Sequence, residues 1–259
     1  MFQRTSDSAL AATTICASLI LSACGGGGDS SSSVSSVSSG ENATTLEAGL
    51  YEVQVTYVDG RTSDAFAYLS STSKFAMVFG QQELSLGMLE FDNSNISGTS
   101  NDYYQPDDQG FYSVRGQEGA ISGTINSPGS ATFSASAAGK VNSEVRLKRA
   151  NSLSDLAISL VQASGSYEKG ESEVVLTVGE DGSLDAQYPT TNCVLGGTLV
   201  PDASVNVFDI TYRMSNCTNE KYNGEYSGLG FFGPTTGGQI VMFTAHNEEV
   251  AMQFEGTRR

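Results

Sequence analysis

His246 is the single histidine among 259 residues, so any serine or cysteine nucleophile would have to share it as its base, and a metal centre built from several imidazoles is impossible. It closes an apolar run in His246-Asn247-Glu248-Glu249, a turn signature. No Gly-x-Ser-x-Gly elbow stands anywhere to present a nucleophile. Ser71-Thr72-Ser73-Lys74 fits Ser-x-x-Lys, yet it joins two alternating runs instead of opening a helix, and reads as a turn. The remaining candidates are carboxylates: Asp107-Asp108 in a polar loop over 101–110, and Glu180-Asp181 in front of Gly182. Two carboxylates held ~5–10 Å apart in a cleft would serve a glycoside hydrolase. Neither stretch keeps the oxygen-ligand spacing of a calcium loop, and solvated loop charge is the plainer reading. No glycine-rich phosphate loop follows a strand and opens a helix. The sequence therefore leads to no catalytic residue, no metal and no cofactor.

Four aromatics, Tyr103, Tyr104, Phe111 and Tyr112, flank the first acidic loop and are the candidate contacts for a partner. Rings near a loop tip anchor partners, but Tyr-Tyr and Phe-Tyr pairs also continue strands with one ring inward and one outward. Phe231-Phe232 reads the same two ways. The charge balance, 13 Lys+Arg against 29 Asp+Glu for a net −16, argues against nucleic acid or an anionic lipid surface, which need clustered cations.

The first residues read as an export address. Arg4 precedes an apolar run from Ala9 to Leu21, too short for a membrane-spanning helix. It ends in Leu21-Ser22-Ala23-Cys24, which resembles the lipobox of a bacterial lipoprotein precursor: an aliphatic residue, two small residues and a cysteine. The resemblance implies cleavage of 1–23, a diacylglycerol thioether on Cys24 and acylation of its amine. Two or three acyl chains anchor stably where one binds marginally. Gly25, where a retained family member carries Asp, implies sorting to the outer membrane. Residues 24–45 continue as a Gly- and Ser-rich tether that cannot bury a core, and 25–39 as a coil reaches ~20–25 Å. With Cys16 removed and Cys24 lipidated, Cys193 and Cys217 remain. An even pair in an exported chain is expected to be a disulfide, since no Cys-x-x-Cys spacing or nearby histidine favours a redox or metal role.

From Leu46 onward the pattern has period two. Tyr51, Val53, Val55 and Tyr57 alternate with polar residues, as do Phe75-Met77-Phe79, Val174-Leu176-Val178, Phe208-Ile210-Tyr212 and Val250-Met252-Phe254. Between Leu84-Leu86-Met88 and Leu89-Phe91 the alternation slips by one beside Gly87, which predicts a bulge. One stretch breaks the rhythm: Leu153, Leu156, Ala157, Leu160 and Val161 form a helical stripe, with Ser152 and Asp155 as a capping box and Gly165 as a stop. The halves echo one another in a shifted way, Gly49-Leu-Tyr51 matching Gly224-Glu-Tyr226 and 119–125 matching 193–199.

These patterns predict an all-β chain: two tandem antiparallel barrels or sandwiches of about eight strands each, over 46–149 and 150–259, joined by one short helix. A membrane-spanning barrel is disfavoured because most strands read as shorter than ~9–11 residues and lack aromatic girdles. The strand pattern, lipobox and tether together are similar to surface and periplasmic lipoproteins with small soluble β-barrels, including the barrel halves of transferrin-binding and factor-H-binding lipoproteins. The expected role is non-catalytic binding or structural work at the membrane, presenting the barrels to a protein partner. Two alternatives stand beside it: a carrier of a small apolar molecule inside a barrel, lined by Phe75, Met77 and Phe79 or by Phe208, Ile210 and Tyr212, and a hydrolase using loop carboxylates.

Overall fold

Strand β1 (Gly49–Tyr57) shows how the alternation becomes structure: Tyr51, Val53 and Val55 are buried while Glu52 and Gln54 are exposed. The computed structural model describes residues 45–80, 83–104, 110–114, 118–170, 173–235, 238–247 and 249–259. The predicted signal segment, Cys24, the tether, Asp107 and Asp108 lie outside the described residues. Strand β1 is followed by β2 (Thr62–Leu69), β3 (Lys74–Phe79), β4 (Glu83–Asp92), β5 (Asn95–Tyr104), the short β6 (Phe111–Val114), β7 (Gly119–Ser127), β8 (Ser130–Ala137) and β9 (Lys140–Arg149). Each pairs antiparallel with the next, except that β7 pairs with β5 past β6, and β9 returns to β1 through Tyr51↔Arg149 and Val55↔Val145. The circuit closes as an eight-stranded barrel without free edges.

A second circuit repeats the plan. It comprises β10 (Gly165–Glu168), β11 (Val175–Val178), β12 (Ser183–Tyr188), β13 (Cys193–Pro201), β14 (Phe208–Ser215), β15 (Gly224–Thr235), β16 (Gly238–His246) and β17 (Val250–Arg258). Neighbours pair in sequence order, and β10 closes on β17 through Tyr167↔Arg258 and Glu168↔Thr257. Both barrels belong to one compact unit, Gly40–Arg259.

The same device starts each barrel. Gly49 and Gly165 take φ +141° and +146°, which L side chains rarely adopt, and each is followed two residues on by a buried tyrosine. The Tyr51 hydroxyl donates to the Glu47 carbonyl, and the Tyr167 hydroxyl to the Ala163 carbonyl at 2.7 Å. The last strand supplies an arginine to the carbonyl before each glycine: Arg149 to Ala48 at 2.9 Å and Arg258 to Ser164. Gly165-Ser-Tyr167 is therefore the topological counterpart of Gly49-Leu-Tyr51. The echo expected at Gly224-Glu-Tyr226 is a third copy of the glycine–tyrosine turn, on β15, with Tyr226 donating to the Tyr222 carbonyl.

Three expectations are corrected. The helical stripe is not one helix but two single turns, α1 (Asn151–Ser154) and α2 (Leu160–Ala163), with the capping box at Ser159 and Gln162 instead of Ser152 and Asp155. The break follows from Ser154: its hydroxyl is held by the Leu50 backbone, and its carbonyl accepts from the Asn206 N–H at 2.8 Å instead of from the next helical turn. Nor is there a bulge at Gly87, because β4 and β5 pair in unbroken register from Glu83↔Tyr104 to Asp92↔Asn95. The apolar residues change face there: Leu84 and Leu86 point outward against the second barrel, while Leu89 and Phe91 point into the first. Register shifts occur instead beside Ser127 and Ser136. Finally, strand length does not exclude a membrane barrel, since β1, β4, β5, β9 and β15 run nine to twelve residues. The distinguishing feature is polarity: β9 turns Glu144, Arg146 and Lys148 outward and Val145 and Leu147 inward.

The barrels pack side by side through a third apolar cluster. Leu50, Tyr68, Val78, Leu84, Leu86, Tyr103 and Tyr112 from the first half meet Val205, Val207, Leu229, Phe231 and Ala251 from the second. Tyr68 and Phe66 tilt against Phe231 at 5.7 and 5.3 Å between ring centres, and the Tyr68 hydroxyl bonds Thr244 Oγ1 at 2.8 Å. Lys74 reaches across to Asp209 at 3.0 Å. Buried Asn206 ties the linker to the second barrel, donating to the Leu153 and Phe232 carbonyls and accepting from the Phe232 N–H.

Candidate functional site

The two interiors differ in what their inward residues leave empty. In the second barrel Tyr188, Phe208, Tyr212, Tyr226, Phe232, Phe243 and Phe254 converge with Leu176, Ile210 and Met252 on the axis. Tyr212 stacks on Tyr226 at 5.0 Å and Phe243 on Phe254 at 5.3 Å, so the interior is packed through. Phe208, Ile210 and Tyr212, one of the two sets that could have lined a ligand cavity, are consumed in this core.

The first barrel is filled only at one end. Leu46, Tyr51, Leu69, Leu89, Ile96, Ile125 and Leu147 close the end where the chain enters β1. Toward the other end the inward positions are small: Ser85 on β4, Ser100 on β5, Gly119 on β7, Ala135 on β8 and Ser143 on β9. They leave a cavity of about 640 Å³, within the range that holds a small-molecule ligand. Its walls are Val55, Phe75, Met77, Ile121, Phe133 and Val145, and Tyr57, Arg61, Phe79, Glu83, Asp102 and Asn142 stand toward the mouth. Asp102 accepts from the Ser85 hydroxyl at 2.8 Å. Arg61 is held by Asp59 at 2.7 Å, with its guanidinium 5.1 Å from the Tyr57 ring centre. Burial, and then the negative charge of Glu83, raises the Tyr57 phenol above its ordinary range, with Asp102 and Asp59 adding and Arg61 opposing.

Three of the four aromatics offered as partner contacts are buried within the chain. Tyr103 and Tyr112 lie in the cluster between the barrels, and Phe111 enters the second barrel's core, stacked on Tyr222 at 3.9 Å. Strand β6 carries them there by pairing with both β5 and β17. Tyr104 is half-buried at the end of β5. Phe231 and Phe232 are likewise internal, one between the barrels and one inside the second. Asp181 serves its turn by accepting from the Ser183 N–H at 3.0 Å, and its carboxyl pKa is lowered first by the Ser183 side chain and then by that N–H. Cys193 and Cys217 form the disulfide expected of them. What sequence reasoning missed are the small inward residues of the first barrel, whose only signal was serine and alanine at positions in phase with buried apolar neighbours.

No protein-family model matches the chain, and no curated protein sequence does. Among solved structures, Aeromonas veronii immune modulator A is a distant neighbour. The alignment covers 81% of this chain and 94% of that one at 12% identity, with a TM-score of 0.36.

His246 ends β16 half-buried, with Nδ1 2.7 Å from the Tyr103 hydroxyl of the first barrel. Burial lowers its pKa below the ordinary 6.5, because the charged ring loses water. The unfolded chain then binds a proton more readily than the folded one. The stability that neutral His246 contributes is complete above pH 6.5 and is lost as pH falls through the folded pKa. Denaturation midpoints measured from pH 7.5 to 5 should therefore fall further for the natural chain than for His246→Gln, whose uncharged amide can still hydrogen-bond the Tyr103 hydroxyl. Parallel curves for the two proteins would contradict this.

Proposed function

We propose that this is a lipid-anchored binding protein of the bacterial cell envelope, acting without catalysis, whose first barrel takes a small, largely apolar molecule into its interior. The contrast between the two barrels carries this reading: one circuit of eight strands is packed with rings, while its counterpart keeps a cavity of about 640 Å³ behind a single polar mouth. A vacancy of that size is costly to maintain in a core that larger side chains at Ser100 or Ala135 would fill. The lipobox ending at Cys24 supports anchoring, and Gly25 supports the outer membrane. The mouth lies at the opposite end of the barrel from Leu46, where the tether joins, so the ligand exchanges away from the point of attachment. The second barrel, disulfide-linked and filled, is the rigid body on which the first is mounted.

Cavity filling tests this reading. The unit 40–259 should enhance the fluorescence of N-phenyl-1-naphthylamine, an uncharged apolar probe, and Ala135→Trp should weaken that binding by about tenfold or more, roughly 1.4 kcal/mol, while keeping the fold. Equal binding by both proteins, or none by either, would overturn the assignment.

A further inference from the structure

We infer that the molecule held by the first barrel carries an uncharged carbonyl oxygen beside its apolar body, received by the hydroxyls of Ser100 and Ser143; this rests on the ligand-binding reading above. Four serines line the cavity, Ser85, Ser100, Ser136 and Ser143. Two of them are engaged within the protein, Ser85 donating to Asp102 at 2.8 Å and Ser136 to the Ala120 carbonyl at 3.2 Å. Neither the Ser100 nor the Ser143 hydroxyl has a hydrogen-bond partner among the described residues, although the two residues are only 6% and 8% exposed. Buried hydroxyls are ordinarily paired, and a site that turns two unpaired ones toward a cavity favours a guest that pairs with them.

Register sets their placement. Ser143, Ala135, Ile121 and Gly98 form one inward row across β9, β8, β7 and β5. The next row toward the mouth runs from Ser100 through Gly119 to Ala137. A Cβ at position 119 would stand 2.8 Å from the Ser100 Oγ, so glycine there leaves that hydroxyl uncovered. One step deeper on β8 and β9 the inward residues are Phe133 and Val145, and the wall is hydrocarbon. A guest therefore lays its apolar body on these side chains and meets the hydroxyls beside the mouth. Serine brings no charge, so an ionised group buried against it would lose its water for little return, whereas a neutral carbonyl oxygen has two lone pairs to accept from such donors. In a cavity without these donors the preference has the opposite sign, because a carbonyl costs more to strip of water than a methylene.

Two guests of nearly equal shape read that sign: 2-acetylnaphthalene and 2-ethylnaphthalene differ by a carbonyl in place of a methylene. Each is titrated into the unit 40–259 loaded with N-phenyl-1-naphthylamine. The ketone should displace the probe at a concentration about fivefold or more below that of the hydrocarbon, the size of one net hydrogen bond. Ser100→Ala combined with Ser143→Ala should abolish or reverse that preference while affinity for 2-ethylnaphthalene is unchanged. The hydrocarbon displacing as well as the ketone from the natural chain, or a preference that survives the double substitution, would overturn the hydroxyl assignment and leave the cavity assignment intact. If the probe fails to bind in a manner sensitive to Ala135→Trp, the cavity assignment fails, and this inference with it.

Discussion

Truncating Phe111 to alanine should destabilise the second barrel by about 3–5 kcal/mol, although the residue precedes that barrel by some fifty positions in the chain. The ring is nearly inaccessible, stacks face to face on Tyr222 at 3.9 Å and tilts against Tyr188 at 6.4 Å. Strand β6 holds it there through the Met252↔Phe111 and Ala251↔Tyr112 pairs with β17. Removing the ring leaves a void in a core whose closing seam, β10 on β17, has two register pairs among the described residues. Urea denaturation followed by near-ultraviolet circular dichroism of the tyrosines reads the loss, and Phe111→Leu should recover much of it. A cost below about 1 kcal/mol would mean that β6 merely rests on the second barrel. The same geometry predicts that the second half expressed without β6 is less stable than in the whole chain.

Removing the disulfide should cost about 3 kcal/mol in the chain-entropy view, from a loop of 24 residues. Cys193 opens β13 and Cys217 lies just beyond β14, so the bond clamps the open end of one hairpin, and both cysteines are buried in the second barrel's core. Cys193→Ala with Cys217→Ala isolates the link from any stray thiol. The denaturation midpoint of the double variant should drop well below that of the oxidised chain, and reducing agent should lower the natural chain but leave the variant unmoved. A double variant as stable as the oxidised parent would contradict the clamp.

Much of this architecture was legible in the residues, and the illegible parts share a cause. Period-two runs such as Tyr51-Val53-Val55 and Phe208-Ile210-Tyr212 declared strands because one face of each meets a core and the other meets water. Where both faces are covered the code degenerates. Phe75-Ala-Met-Val-Phe79 lines the cavity with alternate residues and packs the others toward the second barrel, so its sequence cannot say which face is inside. The slip at Gly87 has the same origin, as an exchange of buried faces along one strand reads like an inserted residue. The stripe at Leu153–Val161 had helical spacing, but Ser154 and Asn206 spend the backbone groups a longer helix would need on contacts between elements. Tyr103, Phe111 and Tyr112 were recognisable as contact residues, yet nothing local says whether a contact lies within the chain or outside it. The cavity is hardest of all to read, because it is defined by what Ser85, Ser100, Gly119 and Ala135 lack.

The claim that the first barrel is a vessel and the second a solid body is tested most directly by placing a heavy atom inside. Crystals of the unit 40–259 grown with a brominated N-phenyl-1-naphthylamine should show one anomalous peak between Phe75, Met77 and Phe133, and none within the second barrel. Bromine in the groove outside the barrels or among the rings around Tyr212, or a vacant first barrel at saturating ligand, would contradict it.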